Sequence, residues 1–404
     1  MNIDIESVVL KHLAYCKVHD WAGIDPYDAL NSKLLTALPF LDSRLPRIAL
    51  TQALKRSPIN IRPLLRIEKT QNPKALACFL SGSLKLAGLR TSDGEDYAGY
   101  MIERLSDLRS QGVPYWCWGY SFPWQTRTML VPKFSPNLVC TTFVAGALLD
   151  AYEQRRDSRC LTMAVSAADY IVNDLYWTEG ASGAGFAYPL PSVRARVPNA
   201  NFLAAALLCR VYKHTGDKKY LDPALSSARY SAGQQRADGG WYYGEAPKQR
   251  WIDNFHTGYN LCALQDICRY AETTEFEGRI RQGLEFYKAH FFLANGSVKY
   301  FHDRVYPIDA HCVAQSIITL IAMRDLRPEN VTLAHSVFRW AMNHLWDERG
   351  FFYYRVLRLC TIRTSYMRWT QAWMFLALAT LLESGTNANQ PDPTHQTASV
   401  DEPA

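Results

Sequence analysis

The sequence predicts an all-α protein, an (α/α)6 toroid of repeated helical hairpins. Three observations predict it. Short glycine-plus-aromatic elements recur at a nearly constant spacing. Each is followed by a loop and a helix that is apolar on several faces. A second helix, apolar on one face only, then leads to the next glycine element. Self-similarity at a fixed period marks a repeat architecture, in which each unit buries its apolar face against its neighbours.

The repeat elements are Gly185-Phe186-Ala187-Tyr188, Gly240-Trp241-Tyr242-Tyr243, Gly296-Ser297-Val298-Lys299-Tyr300 and Gly350-Phe351-Phe352-Tyr353-Tyr354. Their glycines stand 55, 56 and 54 residues apart. A looser earlier member runs from Gly112 through Trp116, Cys117, Trp118 and Gly119 to Tyr120. The helices that follow begin near Pro136, Pro198, Ile252, Ile308 and Tyr366. Their small and apolar residues predict burial on all sides. Proline at two of these starts suits a first turn, where its missing N–H has no partner to lose. The second helices cover 160–176, 218–235, 277–292 and 329–346. Each is apolar at helical spacing on one face and charged on the other, so it belongs outside.

Five units are countable. NPKALACFLSGSLKLAGLR (72–90) supplies a sixth inner helix, with an outer helix at about 97–110. An open solenoid is the alternative. Solenoid repeats usually run to roughly 30–47 residues, so the longer period here favours closure. Residues 71–383 are expected to form the toroid. Residues 1–70 are expected to be a helical segment packed on it, able to supply the outer helix that closes the ring. Residues 384–404 lack apolar periodicity and are expected to be disordered.

Composition narrows the function. Aromatic residues reach 13%, with 11 Trp and 23 Tyr, which suits a deep core, a sugar-binding cleft or an apolar ligand pocket. The net charge of +6 is mild and scattered. It argues against nucleic acid and allows a modest bias towards anionic small molecules or acidic glycans. The start, MNIDIESVVLKHLAY, does not read as a signal peptide. No apolar stretch reaches membrane-spanning length. The ten cysteines are scattered without a CxxC pair, and read as reduced thiols of a cytoplasmic protein. Oligomeric state stays open.

In a closed helical toroid the loops at one end surround a funnel, and polar residues at the starts of the inner helices converge there. Asp253 and His256 share one face of a helix start. Asp309 and His311 mark the same place one repeat later. An acid and an imidazole at equivalent positions suit general acid/base work. The plainer reading is that both aspartates cap their helices and both histidines are structural. Glu245 and Asp303 follow their aromatic turns. Paired carboxylates in a cleft can cleave a glycosidic bond, while loop carboxylates can equally be solvated. Candidate substrate-binding residues are Trp116, Tyr120, Arg127, Arg194, Trp241, Tyr243, Tyr259, Arg368 and Trp369. Trp116, Trp241 and Tyr243 would stack on sugar rings, or plug gaps between hairpins. Arg194, Arg196 and Arg368 would hold carboxylates through paired N–H donors. Asp253, His256, Asp309, His311 and Cys312 include zinc-ligand types but lack tight ligand spacing, so no metal is expected. No phosphate-binding glycine loop and no nucleophile elbow occurs, and no cofactor is expected.

The segments WCWGYSFPWQTR (116–127), DGGWYYGE (238–245), DNFHTGYNL (253–261) and YMRWTQAW (366–373) resemble the six-hairpin glycosidase-like superfamily over roughly residues 75–383. That superfamily includes unsaturated uronyl hydrolases, polysaccharide lyases, sugar 2-epimerases and the toroidal domain of glucuronyl C5-epimerases. The resemblance implies a bacterial carbohydrate-active enzyme acting on an acidic sugar or polysaccharide, of the kind associated with surface-polysaccharide synthesis. It implies hydrolysis, elimination or epimerisation, with the chemistry in the funnel. DNFHTGYNLCAL is also similar to an inner-helix segment of protein prenyltransferase β subunits, and QQRADGGW (234–241) to a repeat motif of triterpene cyclases. These imply a zinc or lipid toroid enzyme. The cyclases' DxDD motif and the prenyltransferases' Asp-x-Cys pair are both missing. A non-catalytic glycan-binding or scaffold protein is the third reading. All three share the helical toroid.

Overall fold

A computed structural model describes residues 4–36, 43–89, 95–127, 129–180 and 183–387. The helices are α1 (Ile5–Val18), α2 (Lys33–Thr36), α3 (Arg44–Arg56), α4 (Pro73–Gly88), α5 (Tyr97–Asp107), α6 (Leu138–Arg155) and α7 (Ser158–Tyr170), then α8 (Pro198–Thr215), α9 (Lys218–Ala232), α10 (Asn254–Tyr270), α11 (Glu277–Phe291), α12 (Ala310–Ala322), α13 (Glu329–His344) and α14 (Ala372–Asn387).

Among the described residues, α4, α6, α8, α10, α12 and α14 form an inner ring. Each packs on the next, and α14 packs back on α4, so the ring closes. The outer helices α5, α7, α9, α11 and α13 pack on the inner helices that precede them, and α1 packs on α14. This is the (α/α)6 toroid predicted from the repeat. The side chains explain the two layers. α6 buries Leu138 through Thr142 without a break, and α12 buries Ala310 through Ile317 likewise. Over those stretches the helices have no face for water. α9 buries Tyr220, Ala224, Ser227, Ala228 and Ser231 on one stripe and leaves its charges outside.

The recurring glycines have a common task. Gly239, Gly296 and Gly350 take positive φ angles of 94°, 86° and 95°. A Cβ on them would lie 2.4 Å from the Gln282 carbonyl oxygen, 2.5 Å from that of Ser336 and 2.7 Å from that of Lys11. Only glycine tolerates both the backbone conformation and the contact. Those carbonyls belong to α11, α13 and α1. Each turn therefore docks on the outer helix of the following hairpin, and α1 stands where the repeat requires one. His12 of α1 completes the seam by bridging the Gly350 and Gln371 carbonyls at 2.8 and 3.0 Å. In the second element, counted from Gly240 in the repeat spacing, the constrained residue is its neighbour Gly239. Gly185 instead lies in a short antiparallel strand, opposite Trp177.

The N-terminal stretch after α1 covers the start of α14. Arg62 is 1% exposed. It pairs with Asp28 at 2.7 Å and donates to the Tyr366 hydroxyl at 2.8 Å and the Asp25 carbonyl at 2.9 Å. α14 runs to Asn387, past the boundary expected at residue 383. The rest of the expected disordered tail, 388–404, lies outside the described residues. All ten cysteines are free. No helix among the described residues is long and apolar enough to cross a membrane.

Candidate functional site

The starts of all six inner helices surround one cavity of about 530 Å³. Lys74 comes from the start of α4, Val139 from α6, Asn199 from α8, His256 from α10, His311 from α12, and Arg368 from the turn of wide helix leading into α14. The positive ends of six helix dipoles thus point at one space, which favours an anion there. Lys55, Lys74, Arg127, Arg304 and Arg368 also line it, against the single carboxylate of Asp253 among the described residues. Aromatic walls come from Tyr27, Tyr120, Tyr188, Tyr243, Trp251 and Trp369. Tyr243 and Trp251 stack face to face, 4.5 Å apart at 10°.

Asp253 caps α10, accepting the His256 backbone N–H at 3.0 Å on one oxygen. Its other oxygen meets His256 Nδ1 at 2.8 Å and accepts the Trp251 indole N–H at 3.0 Å. Capping and dyad formation are therefore one arrangement. The carboxylate is 3% exposed and cannot turn away. It holds the imidazole with Nε2 left for the cavity, and the Tyr243 ring lies 4.7 Å from the imidazole. A carboxylate behind an imidazole orients it for proton transfer.

Asp309 does not repeat this. It is fully buried and engaged on both oxygens. One accepts the His311 backbone N–H and the Trp369 indole N–H, each at 2.9 Å. The other accepts two N–H groups of Arg355, Nε at 2.9 Å. A three-stranded ladder places Asp309 directly opposite Arg355. With no lone pair directed at the cavity, this aspartate acts as a cap and an ion-pair anchor. His311 lines the cavity, and its Nε2 shares a 2.7 Å hydrogen bond with the Tyr259 hydroxyl. Burial, then the nearby charges of Lys74 and Arg368, pushes its pKa well below the usual imidazole range. It is therefore a neutral ring at neutral pH.

Arg368 is 5% exposed and bound bidentately to Asp25 at 2.6 and 2.8 Å. It borders the cavity as one half of an ion pair. Tyr120, Arg127, Tyr243, Tyr259 and Trp369 also line the cavity. Other expected site residues lie elsewhere. Trp241 is buried, and its indole N–H donates to the Ser231 carbonyl at 3.2 Å, closing the hairpin from α9. Trp116 packs beside Trp118 under Arg109. Both tryptophans plug the repeat. Glu245 accepts hydrogen bonds from Tyr230 and Arg196 and does not line the cavity. Arg194 is exposed away from it. Asp303 pairs with Arg304 at the surface.

Residues that sequence reasoning missed include Asp25, Tyr27, Lys55, Lys74 and Trp251. Lys74 had a legible signal, because it follows Pro73 as Asn199 follows Pro198. It is 4% exposed. Its ammonium lies 4.1 Å from the Phe143 ring centre, 5.4 Å from Tyr259 and 5.3 Å from Trp373. Burial, then the charge of Arg368, lowers its pKa to about 7. A second cavity of about 440 Å³ opens where the inner helices end, with Asp150, Asp266 and Glu383 balanced by Lys85, Arg210 and Arg324 among apolar side chains. Helix ends there present carbonyls, so the helix dipoles favour a cation rather than an anion. Tyr259 borders both spaces.

No family model matches the chain, and no curated protein matches it. Solved structures do. A GH76 α-mannanase from Bacteroides thetaiotaomicron superposes with a TM-score of 0.63 at 14% identity, over 81% of this chain and 90% of that one. A cellobiose 2-epimerase from Bacillus thermoamylovorans gives 0.62 at 10% identity, over 79% and 90%. An unsaturated glucuronyl hydrolase with the oligosaccharide dGlcA-Glc-Rha-Glc gives 0.59 at 14% identity, over 94% of each chain. These are six-hairpin toroids, and the chain shares their fold.

Proposed function

We propose that the chain is a carbohydrate-active enzyme that moves a proton on an acidic sugar, by epimerisation or elimination. The observation that carries this is the Asp253–His256 dyad opening onto a cavity where six helix starts meet Lys55, Arg127, Arg304 and Arg368. His256 takes the proton from the carbon beside the sugar's carboxylate; in epimerisation a solvent-derived proton returns on the opposite face, and in elimination the C–O bond at the next carbon breaks as the C=C bond forms. The positive surroundings stabilise the negative charge that develops there. Arg127 and Arg304 hold the carboxylate, and Tyr243 and Trp251 support the ring. Among the described residues the cavity offers one carboxylate. Hydrolysis through a carboxylate pair needs two, which favours proton transfer at carbon. The cationic lining also disfavours an apolar isoprenoid. Structural neighbours that include sugar epimerases and a glucuronyl hydrolase support a sugar substrate.

The test is incubation with uronate oligosaccharides in deuterium oxide. Epimerisation should leave solvent deuterium at the carbon beside the carboxylate, whereas elimination should leave that carbon without hydrogen, in a new C=C double bond. His256→Ala should lower the rate at least about 100-fold with its circular dichroism unchanged. New reducing ends with neither deuterium nor a double bond, or full activity in His256→Ala, would overturn the reading.

A further inference from the structure

We propose that Lys74 is a reactive amine site, where a carbonyl compound bearing an acidic group condenses with Nζ to form an imine. The site stands at the base of the funnel. Lys74 lines the cavity, and Phe143, Tyr259 and Trp373 beneath its ammonium border the opposite cavity as well. Among the described residues Nζ has no carboxylate partner and no hydrogen-bond acceptor; its contacts are the faces of three rings. Asp25, the carboxylate whose charge reaches Lys74, is bound on both oxygens by Arg368.

The energetics favour the free amine. A cation over aromatic faces gains less than an ammonium loses on burial without a counter-ion. Lys74 also sits in the first turn of α4, where the helix dipole repels a positive charge. These terms agree with a lysine that titrates at about 7. A desolvated lysine in an apolar pocket is a competent nucleophile. The Nζ lone pair attacks the carbonyl carbon, the carbonyl oxygen leaves as water with two protons from Nζ, and a C=N bond forms. No electron transfer is involved. Selection for an acid-bearing compound comes from Lys55, Arg127 and Arg304 on the same cavity. The inference needs no turnover of sugar, so it stands or falls separately from the reaction proposed above.

The full chain is treated at pH 7 with glyoxylate and cyanoborohydride, which reduces an imine to a stable secondary amine. Peptide mapping should place one carboxymethyl group on Lys74, forming at least about tenfold faster than on exposed Lys213. Uncharged glycolaldehyde should label Lys74 severalfold more slowly than glyoxylate. Lys74→Arg should abolish the fast adduct. Labelling of Lys74 no faster than of Lys213 would overturn the proposal, as would an unchanged fast adduct in Lys74→Arg. If Lys74→Arg does not fold, the two labelling rates in the unaltered chain decide alone.

Discussion

Replacing Asp309 by Asn separates structure from chemistry at this site. Asparagine keeps an oxygen for the His311 backbone and the Trp369 indole, so the cap survives. It removes the charge that holds Arg355, whose side chain is 10% exposed. Leaving one partner of a buried ion pair alone costs about 3–5 kcal/mol. Unfolding entropy of about 2.1 cal/mol/K per residue, over 404 residues, gives roughly 0.85 kcal/mol per degree. The melting temperature should therefore fall by about 4–6 °C, as read by circular dichroism at matched scan rates. Arg355→Gln in the same chain should recover part of that loss, since the pair then disappears together. A melting temperature within 1 °C of the parent, with sugar turnover lost, would refute this reasoning and make Asp309 a reacting acid.

Two further outcomes follow from the geometry. Gly350→Ala places a Cβ 2.7 Å from the Lys11 carbonyl oxygen at a φ of 95°, so stability should drop by about 2 kcal/mol or more, read as a lower urea midpoint. An unchanged midpoint would show that α1 does not close the ring by this contact. Lys74→Met tests the buried amine through pH. Lys74 titrates at about 7 in the fold and near 10.4 when unfolded. Between these values the unfolded chain binds the extra proton, so the parent gains stability as pH rises. The methionine chain lacks that slope. Its advantage should reach up to about 5 kcal/mol at or below pH 7 and fade towards pH 10, by urea unfolding at several pH values. Parallel profiles for the two chains would remove the basis for a low-titrating lysine.

Parts of the site were legible because the repeat made them so. Asp253 and His256 fall at a helix start, and their spacing alone puts both on one face. The same logic failed at Asp309 and His311, where the motif looks equivalent and the surroundings are not. Arg355 lies 46 positions away and reaches Asp309 only through strand pairing. Trp369 arrives from the last inner helix. Trp241 and Tyr243 are two residues apart in one turn, yet one plugs a hairpin and the other lines the cavity. Their fates depend on which side of the turn meets the next outer helix.

The toroid was legible in the sequence. Helical periodicity, all-round apolar helices and recurring glycine-plus-aromatic elements are local properties, and a repeat multiplies each signal. The closure by α1 was open in the sequence, because no glycine element precedes that helix. Tertiary structure decided it through the Gly350 turn and His12. It also decided which charged groups are spent and which face the cavity. Asp309, Arg355, Asp25 and Arg368 satisfy one another across elements far apart in the chain, while Lys74 is left with aromatic rings. Charge pairing depends on distance in space, and only the closed ring sets those distances.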